Sequence, residues 1–233
     1  EELMVKKVLL SLLLLTGIIF TAAAGDLASF VNLGFSEDSQ YFVFGQYGIL
    51  QKSSKPYANL YIVNAHENVF VENGVTEKVY DVAIQPGQNG FGAMLSLISE
   101  NNQDLISRNI NFLNTGRLVY LLVNGSEPKS HLEFRDFIRG NSYKVDLVQQ
   151  TFGEGDSVKA SFHINLAVVD SAGNTSTYTI GLPNYKREGV ERYRIKQVFF
   201  SPDESSLIFV VEKEENGPGG VNIRFMVETV RLN

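Results

Sequence analysis

The chain has 233 residues, with 26 acidic against 20 basic side chains, a net charge of −6, and neither cysteine nor tryptophan. That balance argues against nucleic acid or an anionic membrane as a partner. Without cysteine there is no disulfide, no thiolate zinc framework and no lipid-anchored cysteine, so stability must come from a hydrophobic core.

Met4 is followed by Lys6 and Lys7, an apolar run over 8–20, and Thr21-Ala22-Ala23-Ala24-Gly25. A positive segment, a short apolar core and small residues, in that order, predict a signal peptide over 4–24 cut between Ala24 and Gly25. Ser11, Thr16 and Gly17 interrupt the apolar run, which falls short of the ~20 residues a membrane-spanning helix needs. An uncleaved anchor is the rival reading. Glu1-Glu2-Leu3 precede the methionine and are set aside as lying before the true start. Residues 25–233 are then expected to form a single β-rich exported domain, periplasmic or extracellular.

From there the pattern is short strands divided by turn residues. Strands are predicted over 40–47, 58–63, 78–84, 117–123, 132–137, 143–149, 158–169, 175–180, 193–200, 206–212 and 222–232. Asp170-Ser171-Ala172-Gly173-Asn174 reads as a hairpin loop, because Gly and Asn accept the positive φ of tight turns. The segment 214–220, with Asn216, Gly217, Gly219 and Gly220, reads as a longer, mobile one. Between 91 and 108 the period changes. Phe91, Met94, Leu95, Ile98, Leu105 and Ile106 follow the 3.6-residue spacing of an amphipathic helix, bracketed by Gly87, Gly90 and Asn114-Thr115-Gly116. Its apolar stripe is expected to pack on a sheet. The fold class is therefore mainly β: a layered antiparallel domain, sandwich or propeller-like, with one helix.

A short motif occurs twice, as Phe35-Ser36-Glu37-Asp38-Ser39 and Phe200-Ser201-Pro202-Asp203-Glu204. Proline fixes φ at the second corner of a type I turn, and Ser and Asp side chains accept nearby backbone N–H groups. An apolar strand follows each copy, with alternate side chains expected between sheets. Ser36, Asp38, Ser201, Pro202 and Asp203 are thus read as structural turn residues, not catalytic ones. If the ends of the chain meet, the two hairpins pack side by side and close the fold.

The motif resembles the TolB-like blade repeat of bacterial β-propellers, which implies a ring of blades. Glu37 stands where that repeat has proline, and Ser39 and Glu204 where it has glycine. Phe35 and Phe200 are 165 positions apart, room for four steps of about 41 residues. Residues 114–120 fall near one step, but nothing suitable falls near 76, and the helix occupies ground a blade needs. A sandwich with two similar hairpins is the alternative. The chain is also similar to a family of uncharacterised, predicted secreted bacterial proteins, through Asn32-Leu33-Gly34-Phe35-Ser36, residues 41–48, Phe134-Arg135-Asp136-Phe137, Ser161-Phe162-His163-Ile164 and residues 223–229. That resemblance implies export and carries over no catalytic residue.

Candidate chemistry is sparse. His131, Glu133 and Arg135 alternate, so one strand face displays all three, either as a weak anion or metal site or as a solvated face. His66 and His163 stand apart. Arg135 and Asp136, being adjacent on a strand, face opposite sides and are expected to find partners elsewhere. The run 186–194 reads as a solvated connection, and Gly153-Glu154-Gly155-Asp156 as a turn without a calcium ligand set. No nucleophile elbow, P-loop or His-Glu-x-x-His occurs, and no cofactor is expected. Three functions remain open: a non-catalytic binding or scaffolding protein of the cell envelope, an exported hydrolase or sugar-active enzyme built from scattered carboxylates, and a small-ligand carrier. A cleft with clustered carboxylates would favour the enzyme; an exposed apolar patch would favour a protein partner.

Overall fold

A computed structural model describes residues 25–217 and 219–232. The predicted signal peptide over 4–24, including Ala24, lies outside the described residues; Gly25 is the first of them. The chain is mainly β. Strands β1 (Ser29–Ser36), β2 (Tyr41–Leu50), β3 (Lys55–Asn64) and β4 (Val69–Val79) form a meander, followed by helices α1 (Phe91–Glu100) and α2 (Asn102–Ser107). Next come β5 (Ile110–Asn111), β6 (Arg117–Leu121), β7 (His131–Arg135), β8 (Ser142–Phe152), β9 (Lys159–Val169) and β10 (Thr175–Ile180). The chain ends with β11 (Arg187–Glu188), β12 (Val190–Phe200), β13 (Ser206–Gly217) and β14 (Gly220–Arg231).

These strands build three antiparallel sheets. The N-terminal sheet has the order β4-β3-β2-β1-β5, the middle sheet β14-β13-β12-β6, and the third β10-β9-β8-β7 with β11 on β9. The middle sheet is covered on both faces. Leu207, Phe209 and Val211 of β13 join Tyr143, Phe162 and Ile164 of the third sheet in one core. Ile208 and Val210 join Phe35, Phe42 and Phe44 of the N-terminal sheet in another. The alternation expected after the second motif is therefore split between two cores, and β13 is buried without a break from Ser206 to Glu212. A continuous apolar run is the mark of a strand covered on both sides.

On the far face of the N-terminal sheet, α1 and α2 bury Ala93, Met94, Leu97 and Leu105 against Val43, Ala58, Leu60 and Ile62. Gly45 makes room there, since a Cβ at that position would collide with the Met94 side chain. The helix expected over 91–108 is interrupted at Asn101, whose side-chain amide donates to the Leu97 carbonyl. Within the first helix Ala93, Met94 and Leu97 make the buried stripe and Phe91 and Leu95 are exposed; in the second Leu105 is buried and Ile106 exposed. Helices close one side of the stack and the polar outer face of β8 the other, so the layers form an open stack with no closed barrel.

Three segments differ from the sequence reading. β1 was not expected, because Asn32 and Gly34 break its apolar pattern; a bulge against β2 falls between them, and Gly34, at φ +99°, lies so close to the Asn111 carbonyl that a Cβ would not fit. β4 lies earlier than the strand expected at 78–84. It is a mostly exposed edge strand, so polar residues such as Glu72, Asn73 and Glu77 suit it and hide it. The loop expected at 214–220 shrinks to a tight connection, because β13 and β14 stay paired to Gly217 and Gly220.

Ile208→Ala and Phe209→Ala test the two-sided burial, since these neighbours point into different cores. Each substitution should lower the unfolding free energy by about 2–5 kcal/mol in urea titrations. A sheet covered on one face only would lose stability at one of the two positions.

Candidate functional site

The two motif copies adopt matching geometry. Ser36 Oγ donates to Asp38 Oδ1 at 2.6 Å and Ser201 Oγ to Asp203 Oδ1 at 2.6 Å. Each serine oxygen also accepts a backbone N–H five residues on, from Tyr41 and Ser206, both at 2.9 Å. Each aspartate accepts the N–H two residues on, from Gln40 and Ser205. Pairing then starts in the same register, Phe35 opposite Phe42 and Phe200 opposite Leu207. Ser39 and Glu204, the positions where the blade repeat has glycine, have φ of 60° and 59°. That region favours glycine because it has no Cβ to clash.

The copies also touch. The Asp203 N–H donates to Ser39 Oγ at 3.3 Å, and the Phe35, Phe42 and Phe199 rings pack together behind them. His66 sits at this seam, its Nε2 3.4 Å from Ser205 Oγ. Among the described residues no carboxylate lies within hydrogen-bonding distance of His66, so serine, histidine and aspartate do not line up as a nucleophilic relay. The hydrogen bond from Ser36 holds the Asp38 carboxyl below the ordinary range. Burial would raise Asp203, but hydrogen bonds from Ser201 and Ser205 outweigh it and hold it low as well.

Beside the second turn lies an ion cluster that sequence reasoning missed. Arg117 at the start of β6 grips Asp136 with two nitrogens, at 3.2 and 3.0 Å, and reaches Glu204 with its Nε at 2.8 Å. Arg139 holds the other Glu204 oxygen at 2.9 Å, and both guanidinium groups stack near the Phe200 ring. The Asp136 side chain is only 1% exposed. Burial would push its carboxyl up; the Arg117 pair and the Ile138 N–H hold it below the usual range instead. The only sequence signals were the Arg135-Asp136 dipeptide and a glutamate at a glycine position.

This cluster fixes two loops with outward-facing apolar side chains. Residues 136–140 carry Phe137, 85% exposed, and Ile138, 72% exposed. Residues 112–116 carry Phe112 and Leu113, the latter 93% exposed. The second loop is anchored too: the Phe35 N–H donates to the Asn114 carbonyl, and Gly116 (φ +78°) lies against the Phe200 carbonyl where any Cβ would clash.

The alternating trio separates in space. His131 Nδ1 meets Asp146 Oδ1 at 2.7 Å and its Nε2 lies 3.4 Å from Glu133, which also pairs with Lys144 at 3.0 Å. The Asp146 hydrogen bond pushes the His131 imidazole up, and Lys144 holds Glu133 down. Arg135 leaves this ladder and covers the Phe137 ring at 5.6 Å. Among the described residues no group of three or more acidic, histidine or cysteine side chains is arranged to hold a metal ion. Among the described residues, five of the surface clefts, with volumes from about 130 to 420 Å³, each have at most one carboxylate in their walls.

Ser201→Ala strands the buried Ser206 N–H, so it should cost about 1–3 kcal/mol in urea titrations. Asp38, Asp136, Asp203 and Glu204 all have depressed carboxyls in the folded chain. Their stabilisation is complete above the ordinary carboxylate range, about pH 4, and is lost as pH falls through the folded values. Glu228 has the opposite sign. Burial raises its carboxyl although Asn68 donates to it at 2.7 Å, so it erodes stability as pH rises from its unfolded value through its folded one. Glu228→Gln should therefore stabilise the protein more at pH 7 than at pH 4, and a gain that is equal at the two pH values would refute this assignment.

No helix among the described residues is long and apolar enough to cross a membrane. No curated protein matches the chain. The segment that matches a family begins inside β2, and so takes in the second motif copy but not the first. Residues 43–231 match the family described as "Predicted secreted protein (DUF2259)", and the chain belongs to that family of predicted secreted proteins.

Proposed function

We propose that this is an exported, non-catalytic binding or scaffolding protein of the cell envelope, and that loops 112–116 and 136–140 form its contact rim. In this reading residues 4–24 are removed by cleavage between Ala24 and Gly25. The remaining 25–233 act as one domain in the periplasm or outside the cell. The observation that carries the proposal is the exposure of Leu113, Phe137 and Ile138 on loops fixed by the Arg117–Asp136–Glu204–Arg139 cluster. Large apolar side chains held outward on a monomer surface are typical of contact sites. Fixing them in advance removes ordering entropy from association, and aromatic and arginine side chains supply much of the energy in such interfaces. Arg135, laid over Phe137, adds such a group to the rim.

A photo-crosslinking residue placed at Leu113 or Phe137 should trap a discrete envelope partner, while one at Asn165, exposed on the third sheet, should not. The double variant Leu113→Ser/Phe137→Ser should keep its stability within about 0.5 kcal/mol, because both sites are exposed, and yet lose the crosslink probed from Ile138. Equal labelling from the rim and from Asn165, or none from the rim, would refute the assignment.

A further inference from the structure

At the end of β6 away from Arg117, the loop over 122–130 runs beside the charged face of β12. Arg192 and Arg194 lie on that face one two-residue step apart, about 7 Å along the strand, and Lys196 follows in a bulge between Ile195 and Gln197. Arg192 and Arg194 line a cleft of about 420 Å³ together with Lys129, Ser130 and Gln149. An adjoining cleft of about 270 Å³ shares Arg194 and Pro128 with it and adds Lys196 and Asn124. The two clefts therefore adjoin, with Arg194 and Pro128 in the walls of both, and together make up the groove.

The charges in this groove do not cancel. Glu212 and Glu214 of β13, largely buried, pair with Arg194, and Lys196 lies 3.9 Å from Glu212. Arg192 keeps one contact with Glu214 at 3.4 Å and is 59% exposed. Lys129 is exposed and makes no ion pair among the described residues. Arg194 Nε is buried and has no hydrogen-bond partner. Four cations thus face Glu127 and two carboxylates set behind them, on a chain whose net charge is −6.

We propose that this groove binds an extended polypeptide segment bearing acidic side chains at alternate positions. The Arg192–Arg194 step along β12 equals the spacing of same-face side chains on a strand laid beside it. Guanidinium groups match carboxylates with two parallel hydrogen bonds. The contact runs through side chains rather than strand addition, because the exposed edge of β12 is already occupied. Gln149 accepts the Tyr193 N–H at 2.8 Å and donates to its carbonyl at 3.1 Å.

The test is fluorescence anisotropy of the full chain with a labelled seven-residue peptide alternating Glu and Ser. The probe should bind, should weaken as salt rises, and should lose about tenfold in affinity with Lys129→Gln/Arg192→Gln, two exposed substitutions whose melting temperature should match the parent's. A peptide of the same composition with its glutamates in one block should bind several-fold more weakly. Lack of binding, equal binding of the block peptide or of a short polyphosphate, or full affinity in the double variant would each overturn the proposal. Leu113→Ser/Phe137→Ser should bind the probe normally, which separates failure of the groove from failure of the rim.

Discussion

Burial of the middle sheet on both faces is the constraint on which the rest of the molecule depends. Among the described residues the two outer sheets share no core; each contributes one core against β12, β13 and β14. A sheet with two apolar faces has two edges that could recruit other chains. Its neighbours block the β14 edge and the part of β12 that β6 does not cover. Along β14 the Phe225 N–H is taken by the Gln46 side chain and the Thr229 N–H by Asn68, while the Ile223 backbone exchanges hydrogen bonds with Asp26 and Ala28. Along β12, where β6 has ended, Gln149 and Thr151 occupy the backbone of Tyr193 and Glu191. The N-terminal and third sheets therefore supply both the apolar cover and the polar groups that seal the edges.

The second turn shows how a local cost is offset by a distant contact. A glutamate at φ 59° is strained by about 1 kcal/mol relative to glycine. Glycine there would relieve the strain but give up the two guanidinium partners that Glu204 holds. Those partners come from β6 and from the loop after β7, so a single side chain in the turn ties the middle sheet to the third. Ser39 at the equivalent place in the first turn has a lighter role, accepting the Asp203 N–H and so joining the two turns. The two hairpins thus differ at the one position where the backbone favours glycine, and each side chain there makes a contact with a neighbouring element.

Much of this was legible in the sequence because it is local. The Ser and Asp of each turn bond to groups within five residues, and the strand periods of β8, β9 and β12 come from neighbours in the chain. The two cores of β13 were harder to read: Leu207 to Val211 states that the strand is buried but not that adjacent side chains face different sheets. β1 and β4 were hidden by a glycine bulge and by an exposed, polar edge. The Arg117–Asp136–Glu204 cluster joins residues 19 and 87 positions apart, and no spacing rule links them. Exposed apolar residues such as Leu113 and Phe137 carry no signal either, since a loop leucine and a core leucine look alike until the fold is known.

Strand addition along β14, or along β12 beyond β6, would first have to displace Gln46 or Gln149, each holding backbone groups in a buried or part-buried place. Contacts through side chains meet no such barrier. The apolar loops sit at one end of β6 and the cationic groove at the other, so one short strand connects both surfaces. Its first residue, Arg117, is fixed by the ion cluster; at its far end the chain turns away from β12 after the Leu122 N–H donates to the Lys196 carbonyl. Among the described residues β6 pairs with Gln197 to Phe200 of β12, so the strand stands between the ion cluster at Arg117 and the cationic side chains of Arg194 and Lys196.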